Sequence, residues 1–418
     1  MTNGSHTLGI DFGTSNSAVG YLSDGKPHLI EIESGSQTLP TSIFFDFETR
    51  GTSFGSVANR ALIEGAYGRF MRALKSVLGT GLMHEKRQIM QQRMDFTDII
   101  AMFLREIKTR AEAASGLRFE SALSGRPVHF HSHAPERDAQ AEADLRSCYL
   151  KAGFKDVRFM YEPEAAALAN HGHMQPGRLG LIVDIGGGTS DFTLFRQGSE
   201  AVPEIIASHG VRIGGTDFDR VLSVDHVMPL FGRGSLLNKE FGQGTVLAPN
   251  GMFQALATWE KIPFLYTAES RREARELEKY ATDPHLFSRL VGVLENELGH
   301  DVAFAVERGK IEANGAGAKT EIDLGVVERG LSADLTEAGM HRSLDSLTGK
   351  IQHCAEELML EAKIKPDQVD SLIFVGGSSL MGSVSGRLRQ LFPTAAPHQT
   401  SAFTAVVEGL ALAAGEGP

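Results

Sequence analysis

The chain has 418 residues, enough for two to four domains or two large lobes, each with its own buried core. With 42% hydrophobic and 22% charged residues it has the composition of an ordinary soluble globular protein, and a formal net charge of −11 argues against a nucleic-acid binder, whose surface needs a basic excess. Cys148 and Cys354 are isolated thiols that suit a reducing compartment, the start MTNGSHTLGIDFG carries no basic-then-apolar leader, and no run of about 18 apolar residues suggests a membrane span, so a cytoplasmic location is expected.

Three short strands are predicted first, TLGIDFG, SAVGYL and PHLIEIE, with the turn Ser23-Asp24-Gly25-Lys26 before the third. From Thr41 to Gly116 the pattern changes. SVANRALIEGAYGRFMRALKSVLG reads as helical. DIIAMFLREIKTRAEAASG reads as an amphipathic helix with Ile99, Ile100, Phe103, Leu104 and Ile107 on one stripe, Thr97 or Asp98 at its start and Gly116 at its stop. A strand, RPVHFHSH, comes next, followed by a helix through AQAEADLRSCYLKAG. The strand VRFMY then leads to a helix opened by Glu162-Pro163, where proline suits the first turn.

The opening theme then returns. TLGIDFGTSNSAVGYL and LGLIVDIGGGTSDFTLF align as an internal repeat, Asp11 with Asp184 and Gly13 with Gly186 or its neighbours, and PEIIASHGVRIGGTDFD supplies a third strand. The period is too long for a solenoid and implies two similar α/β lobes. Residues 223–324 read as mainly helical, with ESRREARELEKY a solvated helix face. The chain closes with the helix LDSLTGKIQHCAEELMLEA, the strand SLIFVGGSS and the helix AVVEGLALAAG.

Successive glycines expose backbone N–H groups with no side chain in the way, which makes a concave anion site that phosphate can approach closely. Four such turns occur: DFGTSNS (11–17), DIGGGTSD (184–191), GVRIGGTDFD (210–219) and FVGGSSL (374–380). Asp and Gly are common turn residues, but four turns in repeated order favour a phosphate ligand over that bland reading. An aspartate at each lobe's turn, Asp11 and Asp184, suits a hydrated Mg2+ held against nucleotide phosphates. There is no GxxxxGK[ST], and no GxGxxG at a strand-to-helix junction, which excludes the P-loop and dinucleotide readings.

The order DFGTSNS, YEPEAAALA, VDIGGGTSDF, GGTDFD, FVGGSSL and VVEGLALAAG resembles the DnaK-type heat-shock chaperone branch of the actin-like ATPase superfamily, and most of all its shortened YegD-like members. The resemblance runs from Leu8 to Gly415. It implies an α/β, duplicated actin-like (ribonuclease H-like) two-lobed ATPase fold with a nucleotide cleft between the lobes. Lobe I would span 1–176, with a core of 1–40 and 121–176 and an outer subdomain of 41–120. Lobe II would span 177–418, with a core of 177–222 and 325–418 and an outer subdomain of 223–324. No peptide-binding domain is expected.

Carried onto this chain, the resemblance makes Gly13, Thr14, Ser15 and Asn16 the turn around the β- and γ-phosphates, with Gly186, Gly187 and Gly188 its counterpart in the second lobe. Lys75 would reach the γ-phosphate, Glu162 and Asp191 would surround the attacking water, and Thr189 would stand beside the transferred phosphoryl group. Asp11 and Asp184 would face the water shell of Mg2+. Glu307 and Lys310 would line the adenosine pocket with Gly376 and Gly377 beneath the base, and Gly214 and Gly215, in the turn GVRIGGTDFD, would also bind the nucleotide. ATP or ADP and Mg2+ are the implied ligands, and client proteins or co-chaperones the implied partners, with no nucleic acid and no membrane.

This sequence departs from the family pattern in several places. Leu380 stands where an adenine-stacking arginine is usual, a conventional aspartate before the last helix is replaced near Phe403, and VHFHSH replaces a proline-containing turn. A small-molecule kinase of the same fold, and a non-hydrolysing nucleotide sensor or actin-like assembly protein, therefore stay open beside the slow ATPase. His129, His131 and His133 alternate, so on a strand they would share a face and could meet a Zn2+; a polar strand edge is the plainer reading.

Overall fold

The computed structural model describes residues 6–131, 134–170, 174–198, 203–240, 242–315, 320–398 and 404–415. His133 and Phe403, singled out above, lie outside them.

Strands β1 (His6–Phe12), β2 (Asn16–Ser23) and β3 (Lys26–Leu29) form the expected antiparallel ribbon. Asp24 and Gly25 close its second turn at φ 52° and 73°, the left-handed pair that matches strand twist. Strand β4 (Thr38–Pro40) pairs with β2. Next come β5 (Ser42–Asp46), β6 (Thr52–Phe54), helix α1 (Ser56–Ile63) and β7 (Gly68–Arg72), whose strands make a separate sheet in the order β6–β5–β7. The long helix predicted here is interrupted. Gly65, at φ 70°, turns the chain out of α1, and GRFMR pairs along β5 instead. Lys75 therefore stands on a one-turn 3-10 segment, Leu74–Val77, rather than on a helix surface.

The hairpin β8 (Arg87–Ile89) and β9 (Gln92–Met94) leads into α2 (Phe96–Ser115). Its predicted stripe is buried and Gly116 ends it at φ 71°. The cap is Asp95, not Thr97 or Asp98: Asp98 N donates to Asp95 Oδ1 at 3.0 Å and Asp95 N donates to Asp98 Oδ2 at 3.1 Å, a reciprocal box. Strand β10 (Phe119–Arg126), α3 (Pro135–Ala152), β11 (Asp156–Tyr161) and α4 (Glu162–Ala169) complete the first half. Because β10 stops at Arg126, His129 and His131 lie outside any strand and share no strand face. Pro127 has no N–H for a ladder, and the Arg126 guanidinium donates to the carbonyls of Pro127 and Val128, which folds the chain off the sheet. Among the described residues no three His, Cys, Asp or Glu form a metal-ligand group.

The second half opens with β12 (Leu179–Ile185), β13 (Ser190–Arg196) and β14 (Glu204–Val211), then α5 (Gly215–Leu222). The hairpin β15 (Leu236–Asn238) and β16 (Thr245–Leu247) precedes α6 (Gly251–Leu256), α7 (Ala268–Tyr280), α8 (Pro284–Glu295) and α9 (Gly299–Ala313). A further hairpin, β17 (Thr320–Asp323) and β18 (Ser332–Leu335), leads to α10 (Glu337–Ala362), β19 (Ser371–Val375), α11 (Gly382–Leu391), β20 (Ala396–His398) and α12 (Ala405–Ala413).

Two sheets share one plan. The first runs β11–β10–β1–β2–β3 and the second β20–β19–β12–β13–β14. In each, a central strand forms an antiparallel ribbon with the two strands that follow it and pairs in parallel with a later strand, which pairs in parallel with the last. The central strands β1 and β12 carry Asp11 and Asp184 near their carboxyl ends, each two residues before a glycine. The sequence repeat is thus a repeat of topology.

The chain divides into two compact units. One comprises residues up to 214 with 351–380 and 384–418, and the other 215–350 with 381–383. Both large sheets belong to the first. There α12 meets α4 through Gly409, where a Cβ would come within 1.8 Å of the Ala165 carbonyl oxygen, so only bare backbone permits the approach. Gly9 on β1 likewise admits Leu410 and Ala411. No helix among the described residues is long and apolar enough to cross a membrane.

Candidate active site

Asp11, Glu162, Asp184 and Asp191 gather around Lys75. Each arrives by a local device. Asp184 is the penultimate residue of β12, and the β12–β13 register sets Asp191 directly opposite it. Gly210 on β14 lies beside Asp191; a Cβ there would come within 2.4 Å of Asp191 Oδ1. Glu162 begins α4, where the positive end of the helix favours a carboxylate. Gly125 on β10 leaves it room, since a Cβ would lie 3.1 Å from Glu162 Cγ. Lys75 Nζ donates to Glu162 Oε1 at 2.5 Å, with side-chain exposures of 11% and 13%.

Four carboxylates compete for one ammonium, and the protons record it. Asp11 is pushed up to about 7 by burial first and by the charge of Glu162 second, with Lys75 opposing. Asp191 also rises to about 7: burial dominates, the Thr189 hydroxyl bond pulls it down, and Glu162 pushes it up. Asp184 is held well above the carboxylate range by burial, then by Glu162, Asp191 and Asp11. For Lys75, burial favours the neutral amine, but Glu162, Asp11 and Asp184 together outweigh it and hold the ammonium charged. The site is short of positive charge. Hard oxygen donors in that state fit a hydrated divalent cation such as Mg2+, with Asp11 and Asp184 its proposed holders.

The glycine turns meet beside these carboxylates. A Cβ at Gly187 would come within 2.4 Å of Ser15 Oγ, so the turn after β12 abuts the turn after β1. Gly13 is required locally, because a Cβ would lie 2.2 Å from the Asn16 carbonyl oxygen. The far side of the first turn is tied down by Thr41 N donating to Ser15 O at 2.8 Å. Gly214 packs against the backbone of Gly187 and Gly188, while Gly376, at φ 78°, packs against Ile185 O beside the Asp184 carboxylate. Gly186 and Gly188 differ. Neither has a left-handed φ, and a Cβ at Gly188 would meet nothing within 4 Å. The fold does not demand a glycine at either position.

Thr14 and Ser15 are half-buried, Asn16 is exposed, and Gly377 opens the 3-10 turn that ends at Leu380. Gly215, Glu307 and Lys310 belong to the second unit, Gly215 at the start of α5 and the other two on α9. There the buried Lys310 Nζ pairs with Asp219 Oδ1 at 2.7 Å. Gly125 and Gly210 were not singled out from sequence as site residues. The signal for both was a glycine at a strand end, readable only once a strand partner placed a carboxylate beside it.

The family model of the Hsp70 protein matches residues 7–240, more than half of the chain. Chaperone protein dnaK3 of Thermosynechococcus vestitus is 25% identical over 436 aligned positions, which cover 98% of this chain and 55% of the relative. The chain thus spans about half the length of that relative. Given two sheets of one topology, paired Asp-x-Gly turns and this match, the chain belongs to the Hsp70 family and has its actin-like ATPase fold.

Proposed function

We propose that the protein binds ATP with Mg2+ and hydrolyses it slowly, as a chaperone-type ATPase acting on protein clients or with co-chaperones. The observation that carries this reading is the gathering of Asp11, Glu162, Asp184 and Asp191 around Lys75, beside a glycine cradle that the fold itself leaves open. Phosphoryl transfer asks little covalent work of a protein and much positioning and charge neutralisation.

In this reading the bare N–H groups of the turns at Gly13–Asn16 and Gly186–Gly188, with the Thr14 and Ser15 hydroxyls, hold phosphate oxygens. Lys75 exchanges part of its bond to Glu162 for the terminal phosphate and spreads the charge that develops there. Glu162 and Asp191 orient the attacking water. In the ligand-free protein burial pushes the Asp191 carboxyl up to about 7. Thr189, which already donates to Asp191, fixes that carboxylate's orientation. Bound Mg2+ supplies charge neutralisation on the phosphates, with Asp11 and Asp184 as its holders. Glu307 and Lys310, with Gly376 and Gly377, are the proposed adenosine contacts, and Gly214 and Gly215 are proposed nucleotide-binding residues. The division into lobes at 176/177 belongs to the same proposal.

Product identification tests it. Incubation with Mg-ATP and no acceptor should give ADP and inorganic phosphate, and EDTA should abolish the reaction. Phosphoryl transfer to a small hydroxyl acceptor would replace this reading with a kinase, and tight binding of ATP that stays intact would replace it with a sensor. Failure to bind ATP would overturn all three.

A further inference from the structure

The turn that carries Lys75 does not hold itself. Ala73, which introduces it, sits at φ 57° and ψ 35°, a left-handed conformation that a residue with a Cβ keeps only when its surroundings insist. The insistence comes from α3 and the bends before it. The Leu78 carbonyl at the end of the turn accepts from His131 Nε2 at 2.8 Å; a carbonyl can only accept, so that nitrogen carries the proton. The next residue, Gly79, donates its N–H to Asp144 Oδ2 at 3.0 Å. Asp144 is 3% exposed, and its other oxygen accepts from Gln140 at 2.8 Å and lies 3.2 Å from His84 Nε2. Gly79 is pressed so closely on α3 that a Cβ would lie 2.3 Å from the Arg137 carbonyl oxygen.

The same stretch of α3 grips the other half of the ion pair. Asp138 Oδ1 accepts from the backbone N–H groups of Phe130, at 2.5 Å, and His131, at 3.3 Å, which fixes where the His131 ring begins. Arg126 bonds Asp138 Oδ2 at 3.0 Å and also Glu142, with its guanidinium 5.1 Å from the Phe130 ring centre and 5.2 Å from that of Tyr161. Tyr161 immediately precedes Glu162. Lys75 lies three and four residues before the clamped Leu78 and Gly79, and Glu162 directly follows Tyr161, which stacks on the Arg126 held by α3.

We propose that His131 and Asp144 are positioning residues: by clamping Leu78 and Gly79 to α3 they set the reach of Lys75 toward Glu162, and through it toward the terminal phosphate. The proposal rests on the ATPase reading for its consequence and on geometry alone for the clamp, so the two are tested separately.

Acylation of Lys75 by a limiting N-hydroxysuccinimide ester, followed by mass spectrometry in nucleotide-free protein, reads the clamp. Lys151, 49% exposed at its side chain, is the internal standard. His131→Ala should raise the Lys75 rate about fivefold through local release of the turn, and His131→Gln, whose amide N–H can still reach Leu78, should restore it. Should His131→Ala not fold, His131→Asn, polar but too short, carries the same expectation. An unchanged Lys75 rate in a folded variant overturns the proposal.

Single-turnover hydrolysis of Mg-ATP reads the consequence. His131→Ala should slow it about tenfold with ATP affinity nearly unchanged, since misplacement costs rate more than binding. Added to Lys75→Ala it should cost nothing further, because both changes remove one interaction. An additive loss would overturn the positioning role. A wild-type protein that is labelled as expected but hydrolyses nothing would sink the ATPase reading while leaving the clamp supported.

Discussion

Asp184, Asp11 and Asp191 hold protons in the folded state that they would lose in the unfolded chain, and this has a sign that can be measured. Their unfolded values lie near ~3.9, and in the native protein Asp11 and Asp191 are pushed up to about 7. The stability they contribute is complete below the lower value and is lost as pH rises through the upper one. Ligand-free protein should therefore lose stability between about pH 5 and about pH 8, and Asp184→Asn should flatten that slope by removing one carboxyl that stays protonated in the native protein and ionises in the unfolded chain. Denaturant midpoints at the two pH values check it. A slope as steep in Asp184→Asn as in the wild type would contradict the charge-deficit account. At this scale Asp11 and Asp184 were legible because each stands near the end of an apolar strand, two residues before a glycine. Lys75 was not legible from its own surroundings. Its neighbours read as helix, and only Gly65 and the pairing of β7 with β5 reveal the turn it stands on. Asp144 had a signal that went unused: it falls in the buried stripe of α3 with Ala141, Leu145, Cys148 and Ala152, where a carboxylate must have partners.

Among the elements, two glycines make opposite predictions. Gly409→Ala trades a gain in helix propensity of about 1 kcal/mol against a Cβ placed 1.8 Å from the Ala165 carbonyl oxygen, where α12 and α4 cannot simply part. Overpacking of that kind costs about 1–3 kcal/mol, so the clash should win and the variant should unfold at lower denaturant. Gly188→Ala meets no protein atom and needs no left-handed backbone. It should be neutral or more stable by up to about 1 kcal/mol, since it lowers the entropy of the unfolded chain. Its ATP affinity should nevertheless fall under the proposed function, because the methyl group would occupy the space proposed for phosphate. Paired chemical-denaturation and nucleotide-titration experiments decide the matter; a destabilised Gly188→Ala with unaltered ATP binding would mean the glycine serves the fold. Elements were legible where turn chemistry was local, as at Asp24-Gly25 and Gly116. They were misread where a tertiary contact decided, as where the pairing of β7 with β5 breaks the expected helix before Lys75.

For the molecule as a whole, the repeat of TLGIDFGTSNSAVGYL in LGLIVDIGGGTSDFTLF announced the two sheets, because a hairpin with an Asp-x-Gly turn imposes the same strand order each time it recurs. What the repeat could not announce was the closeness of its two turns, Gly187 against Ser15, which depends on helices distant in sequence such as α4 and α12. That closeness is what makes one site of two motifs, and hydrolysis is its most direct test. Single-turnover conversion of Mg-ATP should proceed in the wild-type protein without any acceptor and fall at least about 100-fold in Lys75→Ala, the loss expected when a charge-stabilising group is removed. Equal turnover in the two proteins would contradict the account.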